Sequence, residues 1–468
     1  MYNKIKIEKG AKFPDNYNTC RISNESKWEK MFLSEYVYNY AIVPKKDGTA
    51  TQKPIDPFVP IPALVSEIHS DLLFGEFPAF EGSADAQSKA MGEYVRLHPE
   101  FKTDYLEAGA YCSAMGQVFH CLYKVGEKIY HKFIKSNTVM WEQDDIGLTR
   151  VVIFELDQNK SNSNQRVYEL QEFKFTYNEA MESPWHDNGR KLVITDSVIT
   201  VDRIKNEIKN IEETKVQNTG WDFMPIRKTD NIRQMGINVG KSDYQGKEQL
   251  FAEIDARIDQ INYCLQENQD PWVIVPNGVL NEKGQFNRHN GKMIQRSTYE
   301  GDNTVDVVSW DPQLEGAFRQ IETMIEMVFF TSRISAPIAG LDKGGNVESG
   351  RALRWKSINT FSMINRKRRY WEEDFRWYFE TAGKMGGMEV EIQASDITVV
   401  WNDGLPLDAQ EVVENVVKQV NAGLMSHLTA IKETRELDDA GASKEMEQIK
   451  AEKQSQADIE STRFKVTL

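Results

Sequence analysis

Residues 242–268 read SDYQGKEQLFAEIDARIDQINYCLQEN, and residues 311–328 read DPQLEGAFRQIETMIEMV. These two segments carry the pattern that decides the fold. In the first segment, apolar side chains recur at the spacing of one helical face, namely Leu250, Ile254, Ile258, Ile261 and Leu265. We therefore predict a helix over Ser242–Asn268, roughly 40 Å long, with Ser242 or Asp243 as its N-cap.

The second segment predicts another long helix, starting at Asp311 and Pro312, because proline is favoured in the first helical turn. Its apolar face is formed by Leu314, Phe318, Ile321, Ile325 and Val328. Between the two helices, Trp272–Val275 and Val305–Val308 have the composition of strands in a glycine-punctuated stretch. Since this insert is small, we expect the two helices to lie antiparallel and to project it away from the body.

The region before the first long helix combines helices with strands. We predict helices over residues 17–40, Ile61–Leu73 and Asp104–Gly116. An antiparallel sheet is predicted from alternating runs at Val118–Tyr123, Glu127–Phe133, Arg150–Leu156, Val167–Thr176 and Lys191–Thr195. Helices and antiparallel strands in separate blocks indicate the α+β class.

After the second long helix comes a loop rich in small residues, Ser335–Gly350, in which Gly344 and Gly345 favour mobility. A basic and aromatic helix over Arg351–Ala382 follows. Its run Arg366–Arg369 could bind nucleic acid, but six large aromatic residues come directly after it on the same helix. We therefore favour a buried or subunit-contacting helix whose arginines pair with neighbouring carboxylates.

Composition limits the class of protein. The chain has 468 residues, of which 40% are hydrophobic and 27% charged, so we expect a folded protein of two to four sub-domains. A net charge of −14 argues against a protein that coats nucleic acid, although DNA could still slide past it. No apolar stretch is long enough for a membrane span, and the start lacks a signal-peptide core. Four cysteines without CxxC spacing predict reduced thiols in a cytoplasm.

Motifs of catalysis are missing from the sequence. It has no GxxxxGK[ST], GxSxG or HExxH motif, and no readable pair of acid and base. The set Cys112, His120, Cys121 and His131 has the residue types of a zinc site, but its spacing matches no familiar pattern. We expect these four to be packing residues, and we predict no enzyme and no cofactor. A metal-dependent hydrolase at this set is the least favoured alternative.

Acidic side chains dominate both long helices, and four of them matter for function: Glu253, Asp259, Glu322 and Glu326. One interpretation is that the helices are ordinary amphipathic helices with acidic outer faces. The other is a negatively charged lining for a channel that passes a polyanion. Duplex DNA carries a charge about every 1.7 Å, and roughly six to ten phosphate contacts already bind it tightly. In a ring, an acidic wall would avoid such clamping.

The order of four stretches resembles the portal (head–tail connector) proteins of tailed phages, particularly those of Gram-positive hosts. The stretches are Asp222–Leu265, Gly340–Arg369, Ile397–Asp408 (which ends in NDGLPLD) and the C-terminal helical hairpin with Ala422-Gly423-Leu424-Met425-Ser426. Each motif is short, and their order is the specific part.

The resemblance implies a division of the chain into the parts of a portal subunit. These are an N-terminal wing region at 1–239, a first stem helix at 240–268, a clip at 269–310, a second stem helix at 311–334, a tunnel loop at 335–350, a wing helix and strand at 351–407, and a helical crown with a C-terminal tail at 408–468.

The resemblance also implies function and partners. We expect a homo-oligomeric ring, usually a dodecamer, at one vertex of the virion, assembled in the host cytoplasm. It would pass double-stranded DNA and bind the terminase large subunit, a head–tail adaptor, and the major capsid and scaffolding proteins, but no membrane. The DNA-contacting loop residues would be Lys343, Gly344, Gly345 and Asn346, and the clip residues that dock the motor or adaptor would be Lys283, Arg288, Lys292 and Arg296. A scaffold-like virion protein without a channel is the alternative.

Overall fold

The structure is a computed structural model, and it describes residues 4–35, 40–44, 50–54, 59–126, 128–144, 147–177, 190–269, 272–276, 293–296, 306–308, 314–341, 350–388, 390–401, 409–435 and 441–452. The chain forms two compact units. The larger unit comprises Met1–Gly344 and Lys356–Asp403, and the smaller comprises Gly345–Trp355 and Gly404–Leu468.

Helices are found in both units. Those of the larger unit are α1 (Asn16–Phe32), α2 (Ile61–Phe74), α3 (Asp85–Leu97), α4 (Glu100–Met115), α5 (Glu248–Gln269), α6 (Leu314–Thr331) and α8 (Ile358–Lys384). Those of the smaller unit are α7 (Gly350–Lys356), α9 (Ala409–Asn421), α10 (His427–Arg435) and α11 (residues 441–452). The last residue of α7, Lys356, is also the first residue of the second segment of the larger unit. The sequence did not predict α3, since only Met91 and Val95 are buried on it and the apolar periodicity is correspondingly weak.

Strands are mostly paired antiparallel. They are β1 (Tyr40–Pro44), β2 (Ala50–Pro54), β3 (Ala79–Glu81), β4 (Gln117–Val125), β5 (Lys128–Lys135), β6 (Val139–Gln143), β7 (Leu148–Asp157), β8 (Gln165–Tyr177), β9 (Arg190–Asp202), β10 (Ile208–Asn218), β11 (Ile226–Asp230), β12 (Trp272–Pro276), β13 (Met293–Arg296), β14 (Asp306–Val308) and β15 (Thr398–Val400). In the predicted insert, β12 lies between β13, to which it is parallel, and β14, to which it is antiparallel.

The strands predicted before α5 divide between two sheets, so the prediction of a single antiparallel sheet was wrong. Strands β6 to β10 form a five-stranded meander, whereas β4 and β5 pair with β11 in a separate three-stranded sheet. The division arises because β11, after the meander, returns to pair with β4, with Ile226 opposite Cys121. Pairing between strands so distant in sequence leaves no mark on local periodicity.

Helix α8 lies at the centre of an aromatic core. Trp371, Phe375, Tyr378 and Phe379 are all buried on it and pack against α2 and α4. The rings of Tyr105 and Phe375 stack with their centroids 4.4 Å apart. The predicted helix over Arg351–Ala382 is divided at Ser357 into α7 and α8. Ser357 is buried, and its hydroxyl lies 3.0 Å from that of Ser335.

The two long helices α5 and α6 form a second core with α1 and α2. Ile254, Ile261, Ile321, Met324 and Val328 are its buried members on the long helices. Two members of the predicted stripes are exposed: Leu265 is 42% exposed and Phe318 is 51% exposed. Met324, which we had not included, is buried instead.

Helix α5 begins six residues later than predicted, so Ser242 and Asp243 are not its N-cap. Both side chains bind elsewhere: the Ser242 hydroxyl donates to the Ala114 carbonyl, and the Asp243 carboxylate accepts from the Ser113 hydroxyl at 2.7 Å. Here the chain crosses the end of α4 so closely that a Cβ on Gly240 would lie 2.0 Å from the Gly116 carbonyl oxygen. Tertiary contacts therefore keep residues 240–247 out of the helix.

Mixed helices and largely antiparallel sheets confirm the α+β class. Among the described helices, none is both long enough and apolar enough to span a membrane.

Candidate functional site

Of the predicted functional residues, only the acidic set on α5 and α6 has described side chains. The loop residues Lys343, Gly344, Gly345 and Asn346 lie outside the described residues, as do Lys283, Arg288 and Lys292. The backbone of Arg296 ends β13, but its side chain is also outside the described part. We therefore describe the site from α5, α6 and the residues that hold them.

The acidic residues are accessible to different degrees. Glu253, Glu322 and Glu326 are exposed, whereas Asp259 is half-buried. Glu253 forms an ion pair with Arg257, one turn later on α5, and its Oε1 lies 3.0 Å from Arg257 Nε. On α6, Glu322 and Glu326 are four residues apart and thus lie on one face of the helix. Two carboxylates are therefore exposed on one face of α6.

Asp255 differs from its acidic neighbours because it faces the protein. It is 5% exposed, and its Oδ1 accepts a hydrogen bond from the Val59 backbone N–H at 3.0 Å. Burial raises the pKa of this carboxyl to about 6. Asp255 therefore contributes to the attachment of α5 to the chain before α2, and it is not part of an acidic outer face.

The start of α5 and the end of α6 meet at a buried polar cluster. The Nζ of Lys247 lies 2.8 Å from the Ser332 hydroxyl and 2.7 Å from the Asp243 carbonyl. Because Lys247 precedes α5 and Ser332 follows α6, the two packed helices run antiparallel. Their opposite ends are the ones joined by the insert that contains β12, β13 and β14.

Asp243 is the centre of this cluster. Its Oδ2 lies 2.5 Å from Lys367 Nζ on α8, 2.7 Å from the Ser113 hydroxyl and 3.0 Å from Asn231 Nδ2. Burial alone would raise the pKa of the Asp243 carboxyl, but the positive charge of Lys367 outweighs it and holds the pKa well below its usual value. Asp243 is therefore a buried anion, neutralised by a buried lysine.

His69 connects the same cluster to the end of α6. Its Nε2 lies 3.2 Å from the Ser332 carbonyl, and its Nδ1 lies 3.1 Å from Lys367 Nζ. Burial lowers the pKa of His69, which favours a neutral ring. A neutral ring that donates from Nε2 to the carbonyl has Nδ1 free to accept from Lys367. Thus one cluster ties α2, α6, α8 and the entry to α5 together.

The sequence did not predict this cluster, although α2 gave a signal. On this largely apolar helix, Ser66, His69 and Ser70 are polar at the spacing of one face, and all three are buried. Polar residues on a buried helical face must find partners.

The run Arg366–Arg369 is divided between the interior and the surface of the protein. Its buried ion pair is made by Lys367, while Arg366 and Arg369 are exposed. Arg368 is buried and stacks on Trp401, with its guanidinium carbon 5.1 Å from the ring centre. Two residues of the run, Lys367 and Arg368, therefore pack α8 into the protein, as we had favoured for this helix.

The set proposed as a zinc site is used for packing. Both ring nitrogens of His120 form hydrogen bonds. Its Nδ1 lies 2.9 Å from Asp374 Oδ2, and its Nε2 lies 3.2 Å from His131 Nδ1. Its ring also stacks on Phe133 with centroids 4.1 Å apart. Burial raises the pKa of both Cys112 and Cys121. Within the described residues, no group of histidines, cysteines and carboxylates is arranged to hold a metal ion.

The chain matches the protein family described as Phage portal protein, SPP1 Gp6-like, over residues 31–458 of its 468. The chain belongs to this family. No curated protein matches it. The match spans both units, so it covers the α5–α6 pair, the buried cluster and the C-terminal helices together.

Membership makes the chain a phage portal protein, a component of the virion that serves as head–tail connector and takes part in DNA packaging. A role in the DNA channel is implied by the family, which replaces the alternative of a scaffold-like protein without a channel. Portal proteins are structural rather than enzymatic, and they form oligomeric rings with capsid, terminase and DNA as partners. That the host is Gram-positive stays a prediction.

Proposed function

We propose that α5 and α6 are the stem helices of a ring of about twelve subunits. Their exposed carboxylates, Glu253, Glu322 and Glu326 with Asp259, would face a central channel for double-stranded DNA. The observation that carries this proposal is the antiparallel pair itself. Lys247 and Ser332 join the two helices at one end, and α5 alone extends roughly 33 Å from there at 1.5 Å per residue.

The clip and the tunnel loop are assigned by their positions in the chain relative to these two helices. The insert at the other end of the pair would be the clip, docking the terminase large subunit during packaging and the head–tail adaptor afterwards. Its basic residues Lys283, Arg288, Lys292 and Arg296 would make that contact. Residues 335–350 would form the tunnel loop, in which Lys343 and its neighbours touch DNA.

The other regions would attach the ring to the virion. Residues 1–239 and 351–407 would form the wing, and residues 408–468 the crown and tail. Contacts with the major capsid and scaffolding proteins would come from these outer parts.

Electrostatics explains why carboxylates suit the wall of such a channel. Each basic residue facing the bore is repeated once per subunit, so one lysine per chain adds about twelve phosphate contacts. Roughly six to ten contacts already make DNA binding tight and steeply dependent on salt. Exposed glutamates on α6 would instead repel phosphate and let the duplex move.

A charge reversal on α6 tests this proposal. Rings that carry both Glu322→Lys and Glu326→Lys should bind duplex DNA at low salt at least tenfold more tightly than wild-type rings, with a steep salt dependence. The matched control is Glu93→Lys, because Glu93 is an exposed helical carboxylate, paired with Arg96, on α3. Filter binding across a salt series measures both variants. If the double variant and the control bind DNA equally, the carboxylates do not face the channel.

A further inference from the structure

Strand β5 lies at an edge of its sheet. The strand order is β11–β4–β5, and within the described residues no strand pairs with the outer side of β5. All eight of its residues pair with β4 in one continuous register, from Lys128 opposite Val125 to Lys135 opposite Val118. A regular edge of this kind presents backbone N–H and C=O groups to which a further strand can bond.

The edge strand β10 of the five-stranded meander differs from β5. Its register with β9 shifts twice, between Ile208 and Asn210 and between Glu213 and Lys215. Irregular register bends an edge strand and is one way in which proteins keep edges from pairing. The pairing of β5 with β4 has no such shift, so the side chains of β5 decide what can pair with its outer side.

Charged and apolar side chains alternate along one face of β5, which we call the outer face. Because alternate residues of a strand point the same way, this face carries Lys128, Tyr130, Lys132 and Ile134. The first three are exposed, and Ile134 is partly buried. Tyr130 stacks on the exposed Tyr123 of β4, with the ring centroids 5.7 Å apart. The outer face therefore offers two positive charges, each followed along the strand by an apolar surface.

The positive charges of the outer face are not neutralised by neighbours. Among the described residues, no carboxylate forms an ion pair with Lys128 or Lys132. Lys135, on the opposite face of β5, does have such a partner, since its Nζ lies 2.6 Å from Glu29 Oε1. The outer face is thus locally basic in a chain whose net charge is −14. Carboxylates of an incoming segment would find lysines that are still available to pair.

A groove of about 730 Å³ borders the outer face. Lys132 and Ile134 form part of its wall, and its apolar lining from other segments includes Ile153, Phe173 and Trp221. Phe173 is buried, whereas Ile153 and Trp221 are partly buried and keep some apolar area accessible. Apolar side chains of a segment bound beside β5 would bury area against this lining.

We propose that the outer edge of β5 binds an extended, acidic segment of another protein as a further strand. The carboxylates of this segment would lie beside Lys128 and Lys132, and its apolar side chains beside Tyr130 and Ile134. Since these positions alternate on one face, the segment would carry acidic residues four apart with an apolar residue midway between them. The site does not involve α5 or α6, so it stands whether or not those helices line a channel.

An acidic segment fits this edge better than a second copy of β5 or DNA does. Two β5 edges side by side would bring lysines against lysines, and like charges on neighbouring strands are destabilising. Lysines on an edge strand are a common means of preventing such self-pairing. Duplex DNA would match the charge, but it would leave the backbone groups of β5 and the apolar groove unused.

Binding of a defined peptide to the purified full-length protein tests the proposal. The probe is a fluorescein-labelled peptide of sequence ETVTETVT, in which glutamate and valine alternate on one face and threonine, which favours strands, fills the other. The comparison probe KTVTKTVT differs only in the sign of its charge. Fluorescence anisotropy measures the dissociation constants of both probes for the wild type and for two variants, K128E/K132E and the control K6E/K12E. Lys6 and Lys12 are exposed lysines of the N-terminal segment.

We expect the wild type to bind ETVTETVT at least about tenfold more tightly than KTVTKTVT, because two cross-strand charge pairs change from attractive to repulsive. K128E/K132E should reverse this preference. Since a reversed preference requires an intact edge, loss of folding cannot produce it. K6E/K12E, with the same change in net charge, should keep the preference of the wild type.

N-methylation of ETVTETVT tests whether the probe binds as a strand. Successive backbone N–H groups of a strand point to opposite sides, so methylation at the even positions and methylation at the odd positions block different edges. One of the two methylated peptides should bind at least about tenfold more weakly, and the other should bind as the unmodified peptide does.

The proposal is overturned if the wild type binds neither probe, binds both equally, or binds both methylated peptides as tightly as the unmodified one. An unchanged preference in K128E/K132E would place the peptide elsewhere on the protein and would also overturn it. Displacement of ETVTETVT by duplex DNA would assign the two lysines to DNA. Dissociation of assembled rings by the probe would assign the edge to a second copy. Either of these results contradicts an acidic protein segment as the occupant.

Discussion

Asp243 and Asp255 are both buried, but their pKa values shift in opposite directions. Asp243 has Lys367 at 2.5 Å, which more than offsets the cost of burial, so its pKa lies well below the usual value. Asp255 accepts only a backbone N–H among the hydrogen bonds of the described residues, and burial raises its pKa to about 6. At the scale of single residues, the difference between a paired and an unpaired carboxylate decides how each contributes to stability.

This difference predicts a pH-dependent effect of Asp255→Asn. The raised folded-state pKa means that the folded chain binds this proton more tightly than the unfolded chain, so the contribution of Asp255 to stability is present below pH 4 and is lost as pH rises through 6. An asparagine keeps the acceptor for Val59 and has no charge to bury. We expect Asp255→Asn to stabilise the protein by about 1 kcal/mol at pH 7, allowing for partial solvent screening, and by nothing near pH 4.

Urea unfolding at both pH values measures this effect at a fixed protein concentration. Asp259→Asn, one turn later on α5 and half-buried, is the control and should change little at either pH. An Asp255→Asn variant less stable than the wild type at pH 7 would show that the carboxylate is favourably paired after all.

The sequence shows that these residues are acidic, but it does not show which groups they contact. Asp255 is one of the acidic residues in the first long segment, and helical periodicity ranks residues by face without showing what lies opposite each one. Its partner, Val59, is 196 residues away in the chain, and the partner of Asp243, Lys367, is 124 residues away. Contacts of that sequence separation depend on the complete fold.

At the scale of elements, the long helices were predicted well and their ends less well. Periodicities in α5 and α6 are local properties, so Ile254, Ile261, Ile321 and Val328 were identified correctly as core residues. The N-cap was placed wrongly because Ser242 binds the end of α4. Phe318 was taken for a core residue because it fits the spacing, but the buried face of α6 is centred on Ile321, Met324 and Val328, and Phe318 lies at its edge.

The correction of the α6 stripe predicts a contrast between two substitutions. Met324 is 7% exposed among the side chains of α5 and α6, so Met324→Ala should lower the free energy of unfolding by about 2–4 kcal/mol. Phe318 is half exposed, so Phe318→Ala should cost the subunit less than about 1 kcal/mol despite removing more atoms. Unfolding of the two variants in urea gives the comparison. Equal losses would restore the original assignment of the stripe.

At the scale of the whole molecule, family membership and charge placement support one account. The chain is a phage portal protein, and a net charge of −14 agrees with a channel that conducts DNA without retaining it. The order of four short stretches along the chain was enough to indicate the portal family, which the family match confirms. It could not give the ring, because contacts between copies leave no pattern within the sequence of one chain.

Electron cryo-microscopy of the purified protein at side-chain resolution would show directly whether it forms a ring and which side chains line the bore. The account predicts a closed ring of about twelve copies, with Glu322 and Glu326 of every α6 facing a bore wide enough for duplex DNA. A particle that remains a monomer at low and high salt, or a ring in which these two glutamates point away from the bore, would contradict it.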